Sequence, residues 1–171
     1  MVRSRIYNDL CRHEKLMAFY EAMFGASIRV LRRRILRHFT KGNGVSSKVH
    51  KDLVFLNRGS SDVLTSWIPL GDVDLATGGL VYLEGSHRTT YDEIKALFPE
   101  HAEERWITDD LRTAADRTGR RWLYADFEAG DMMVHLAEMV HASLDCNSDV
   151  MRLSTDVRFM REDDELDARW T

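Results

Sequence analysis

The chain has 171 residues, 44% hydrophobic and 30% charged, with a formal net charge of −4, a composition that fits one soluble globular domain over residues 1–171 with a sizeable core. The mildly acidic balance and pI near 6.0 argue against nucleic acid as the main partner, and no apolar run approaches the roughly 18 residues of a membrane span. Cys11 and Cys146 show no C-x-x-C pairing, so neither a disulfide framework nor a zinc ribbon is expected. With no secretory h-region and no C-terminal S-K-L-type address, the expected location is the cytoplasm.

In chain order, Asn8 or Asp9 is expected to cap a helix through Leu10, Leu16, Met17, Tyr20 and Met23, stopped at Gly25. Residues 28–39 interleave five arginines with apolar residues, which reads as a strand or helix with one solvated face rather than a phosphate-binding stripe. Turn signals stand at 41–44 and 57–62, and strands are expected at 49–55, 63–68, 79–83, 122–124 and 132–134. A strand ending at Met139-Val140 is expected to deliver His141, and 152–159 closes the set with clean alternation. The polar stretch 91–118, with helical patches at 94–97 and 111–115, reads as an insertion between strands and a candidate lid. Short strands separated by turns, with a helix in front, point to a mainly β sandwich or barrel.

The chemistry centres on His50-Lys51-Asp52. On a strand, residues two apart share a face, so His50 and Asp52 would project together. A later histidine would complete a 2-His-1-carboxylate iron corner. His141 is the leading third ligand, and His87 and His135 compete with it from sequence alone. Arg152, starting a strand soon after His141, suits a bidentate carboxylate contact, with Ser143 able to add a hydroxyl. Thr65 and Trp67 share a strand face and are candidate pocket residues. No G-x-S-x-G elbow or phosphate loop is present, and Asp72 and Asp74 sit in a turn where acids are usually structural.

The blocks Val63–Asp72, Gly78-Gly79-Leu80, Leu83–His87, Phe127–Asp131, Val140–Ser143 and Arg152–Phe159 closely resemble the phytanoyl-CoA dioxygenase family, in order and over most of the chain. The resemblance implies a double-stranded β-helix (a cupin-like jelly roll) with an N-terminal helix and a helical insertion. It also implies Fe(II), 2-oxoglutarate and O2 as cofactor and cosubstrates, and oxidation of a small-molecule substrate with release of succinate and CO2. Carried over by position, the metal ligands are His50, Asp52 and His141, while Arg152 and Ser143 hold the distal carboxylate of 2-oxoglutarate. His87 falls in a turn that supplies no ligand in the family. His135 stands where relatives usually have an apolar residue and is expected to line the pocket. Asp52 favours hydroxylation, because halogenating relatives carry a small residue there. Relatives usually have a longer N-terminal region, so the other expectation is a shortened, non-catalytic member that only binds metal or a small molecule.

Overall fold

The computed structural model describes residues 4–42, 46–56 and 58–170. Helices α1 (Arg5–Cys11) and α2 (Glu14–Phe24) lead into β1 (Ile28–Val30) and β2 (Ile35–Phe39). Next come β3 (Val63–Pro69) and β4 (Leu80–Leu83), the short helices α3 (Tyr91–Lys95) and α4 (Leu111–Thr118), and then β5 (Trp122–Leu123), β6 (Met133–Leu136), β7 (His141–Ser143) and β8 (Arg152–Arg161). The strands form a five-stranded sheet, β1-β8-β3-β6 with β2 also on β8, and a three-stranded sheet, β5-β4-β7. All named strand pairs are antiparallel. Two such sheets face to face make the jelly roll, the double-stranded β-helix.

Strand β8 explains how the barrel is filled. Its residues alternate Arg152, Ser154, Asp156, Arg158 on one face and Leu153, Thr155, Val157, Phe159 on the other, and all but Leu153 are buried. The apolar face does not point into the barrel. Val157 and Phe159 join Leu64 and Ile68 of β3 under Tyr7 and Tyr20 of the two helices, with the Tyr20 ring stacked on Phe159 at 3.9 Å. The polar face is therefore the interior one. The N-terminal helices are what permit this inversion, because they cover the outer apolar face of the larger sheet.

Several sequence expectations are corrected. The single N-terminal helix is two: Ser4 caps α1, the chain breaks at Arg12, and His13 caps α2, which ends at Gly25 in the left-handed conformation (φ 61°). Residues 28–39 form two strands, and the arginines find local partners, Arg34 on Asn8 and Arg37 on Asp156. The strand expected at 49–55 is reduced to isolated bridges, Val49 with Thr108 and His50 with His141, followed by a one-turn 3-10 helix over Asp52–Val54. The strand before His141 ends at Leu136, and His141 opens β7 instead. The 91–118 insertion is packed down: Ile94, Phe98, Ile107 and Ala114 bury against Val81, Leu83 and Ala142 on the outer face of the smaller sheet. Of the expected turns, Asn43, Gly44 and Asn57 lie outside the described residues. No helix among the described residues is long and apolar enough to cross a membrane.

Candidate metal centre

His50, Asp52 and His141 converge: each offers one ligand atom, and the three atoms lie within 4.8 Å of one another. The bridge between His50 and His141, with reciprocal backbone hydrogen bonds of 3.0 Å, fixes the two imidazoles side by side at a ring separation of 4.3 Å. Each ring donates Nδ1–H to a carbonyl two residues back, His50 to Lys48 at 2.6 Å and His141 to Met139 at 3.0 Å. That bond sets the tautomer and leaves each Nε2 lone pair free for an ion. Burial, with the neighbouring imidazoles of His50 and His135, pushes the pKa of His141 well below its ordinary value, which favours the neutral form that binding a metal would require.

Asp52 enters from the start of its 3-10 turn, not from a strand face. Its Oδ2 is fully engaged, accepting from Thr65 Oγ1 at 3.0 Å and from Arg158 Nη2 and Nε at 2.7 and 3.3 Å. Oδ1 faces His50 Nε2 at 3.7 Å and is the oxygen left for an ion. Burial alone would raise the Asp52 pKa. The Arg158 charge, with smaller contributions from His135, His50 and His141, outweighs it and holds the carboxyl well below the usual range. Lys51 points away from the cluster. Its fully buried ammonium donates to the Thr89 carbonyl and to Glu138 at 3.3 Å, tying the His50–Asp52 segment to the two turns beside it.

The second group lies further along the interior face of β8. Arg152 is buried, its guanidinium 4.1 Å from the centre of the Phe39 ring, and none of its three nitrogens has a hydrogen-bond partner among the described residues. Among the described residues Ser154 Oγ, two residues on, is also buried without a partner, as is Trp67 Nε1. Burial pushes the Arg152 pKa down to about 10, still high enough to keep it charged at neutral pH. Ser143 accepts from the Ser47 amide at 2.6 Å and keeps its own proton to donate. Thr65 and Trp67 do share the interior face, Thr65 on Asp52 and Trp67 against Phe127 at 5.0 Å.

His135 is buried beside the cluster, its ring 4.6 Å from that of His141. His87 sits in the 3-10 turn Ser86–Arg88, outside it. Sequence reasoning missed Arg158 and Ser154. The signal for both was even spacing from Arg152 on one strand, which puts all three on one face.

Residues 2–154 match the family described as Phytanoyl-CoA dioxygenase (PhyH). The chain belongs to this family. Among curated PhyH-like relatives it is 24% identical to a 1-deoxypentalenic acid 11-beta-hydroxylase of Streptomyces exfoliatus and 26% identical to one of Streptomyces arenae. Both matches take in 89% of this chain but 56% of the relative, so the chain spans little more than half their length. Among solved structures, it superposes on the epimerase SnoN in complex with Fe3+, alpha ketoglutarate and nogalamycin RO with a TM-score of 0.75, at 22% identity over 95% of this chain and 61% of SnoN. It superposes on the alpha ketoglutarate dependent carbocyclase SnoK with a TM-score of 0.73, at 24% identity over 96% of this chain and 62% of SnoK. These likenesses establish a shared fold.

Proposed function

We infer that this PhyH-family chain forms an Fe(II)- and 2-oxoglutarate-dependent dioxygenase centre acting on a small molecule. The observation that carries the reading is an imbalance of donors inside the barrel. Beside a His-Asp-His cluster, a buried guanidinium, a hydroxyl and an indole N–H lack partners among the described residues. Unpaired buried donors of this kind are rare and costly. A metal ion would satisfy the first group and an acceptor-rich anion the second. A 2-oxo dicarboxylate supplies the anion, with one end for the ion and the other for Arg152.

In this reading His50 Nε2, Asp52 Oδ1 and His141 Nε2 would hold the iron. Arg158 and Thr65 keep Asp52 Oδ2 occupied, so the carboxylate would present a single oxygen to the ion. Arg152 and Ser154 orient the distal carboxylate, and the Ser143 hydroxyl has a proton to add. Trp67 and the surrounding apolar side chains exclude water from the site. When bound, Fe(II) with 2-oxoglutarate and O2 supplies oxidative decarboxylation to succinate and CO2, coupled to oxidation of a substrate C–H bond. The similar proteins are named as hydroxylases, an epimerase and a carbocyclase. The direct test is succinate formation from added 2-oxoglutarate by the purified, Fe(II)-loaded protein under air, with ascorbate supplying the two electrons a substrate would give. Turnover is expected to vanish in His50→Ala and in Asp52→Ala. Equal succinate formation in both variants, or none across a broad panel of small-molecule substrates in a parent protein that nonetheless binds iron and 2-oxoglutarate, would exclude this function.

A further inference from the structure

Between β4, β5 and β6 lies a cavity of about 230 Å³ whose wall includes Leu80, Tyr82, Phe127, Met133, Met139 and His135. Strand register sets it at the level of the candidate metal ligands. Tyr82 pairs with His141 on the smaller sheet, and His135 pairs with Thr65, the partner of Asp52, on the larger one. His135 therefore belongs both to the cavity wall and to the rim of the cluster, with Nε2 3.8 Å from Asp52 Oδ2 and the side chain 3% exposed.

The two ring nitrogens of His135 differ. Tyr82 OH lies 3.1 Å from Nδ1, and in a phenol–imidazole pair the phenol is the natural donor and the bare nitrogen the acceptor. The imidazole proton then sits on Nε2, which has no hydrogen-bond partner among the described residues. A buried N–H in that state marks the place of a ligand acceptor. We propose that this cavity binds the primary substrate, and that His135 Nε2–H donates a hydrogen bond to one of the substrate's oxygens. The substrate class follows from the wall: a compact, largely apolar molecule carrying an acceptor oxygen at its metal-facing end. The cavity is smaller than the roughly 300–1,000 Å³ of drug-sized sites, which sets the limit on size. This proposal rests on the metal and 2-oxoglutarate reading above.

The test uses the protein loaded with Co(II) and 2-oxoglutarate, and camphor, a bicyclic ketone with one acceptor oxygen, as the probe. Camphor is titrated by NMR, and the relaxation of its methyl protons is compared between Co(II)- and Zn(II)-loaded protein. The expected result is saturable binding with strong relaxation by Co(II). Affinity should fall about three- to ten-fold, the size of one hydrogen bond, in the double variant Tyr82→Phe/His135→Phe, which removes both partners together. His135→Gln, which keeps an N–H donor, should recover part of the loss. No camphor binding, binding without Co(II)-dependent relaxation, or equal affinity in the double variant would overturn the proposal. Calorimetry of 2-oxoglutarate on the same samples separates the two readings. Its failure to bind the parent protein overturns the dioxygenase centre itself, whereas intact 2-oxoglutarate binding with any of the three adverse camphor results overturns this inference alone.

Discussion

Arg152 should be a residue the ligand-free protein would be better without. Its guanidinium is buried and unpaired among the described residues, and burial lowers its pKa from 12.5 to about 10, a bias of about 3 kcal/mol against the charged form. Arg152→Met removes that penalty together with the contact to the Phe39 ring, worth roughly 1 kcal/mol. The net expectation for the metal-loaded, ligand-free protein is a gain of about 2 kcal/mol, or roughly 4–8 °C in Tm for a chain of this size. The same substitution should weaken 2-oxoglutarate binding by about 2–5 kcal/mol, at least roughly 30-fold, because the distal carboxylate loses its charged partner. Thermal melts of Zn(II)-loaded protein with and without 2-oxoglutarate, plus calorimetric titration, read both numbers. Opposite signs on stability and affinity identify a residue kept for its ligand. A variant that melts lower than the parent and binds 2-oxoglutarate equally well would show that Arg152 is structural and refute the reasoning.

Arg158→Met should act in the other direction. It strips the charged partner from a buried carboxylate, so the metal-free protein should lose about 3–5 kcal/mol. Zn(II) should restore a large part by supplying the missing positive charge, and equal losses with and without Zn(II) in urea denaturation would contradict this. The metal-free protein should also be acid-sensitive. With the His141 pKa held well below its ordinary value by burial and the nearby imidazoles, the unfolded chain takes up a proton that the folded one refuses. Stability then falls as pH drops below about 6.5, by up to about 1.4 kcal/mol per pH unit. Asp52, whose pKa is depressed by Arg158 against the pull of burial, adds a further loss below about pH 4. A urea midpoint that stays flat between pH 7 and 5 would contradict the first of these.

The strands at 63–69 and 80–83 were legible because β-branched and aromatic runs bounded by turns have few other solutions. The H-x-D spacing brought His50 and Asp52 together with His141 as the leading third histidine, and the family resemblance set His87 and His135 aside. The local argument for this grouping was wrong in detail: Asp52 starts a 3-10 turn, and what aligns the histidines is a backbone bridge between residues 91 positions apart (141 − 50 = 91), which no local pattern encodes. Arg158 and Ser154 went unread for a more general reason. Period-2 alternation tells which residues share a face, not which face meets water. On β8 the polar face is the interior one because α1 and α2 cover the apolar face. The break at Arg12 and the packing of the 91–118 insertion were similarly hidden, since both are decided by tertiary contacts.

The central claim is most directly tested by a crystal structure grown without oxygen in Fe(II) and 2-oxoglutarate. The account predicts one ion held by His50 Nε2, Asp52 Oδ1 and His141 Nε2 at about 2.0–2.3 Å, with the distal carboxylate of 2-oxoglutarate on Arg152. An ion bound elsewhere, coordination through Asp52 Oδ2, or a 2-oxoglutarate that leaves Arg152 unpaired would contradict it.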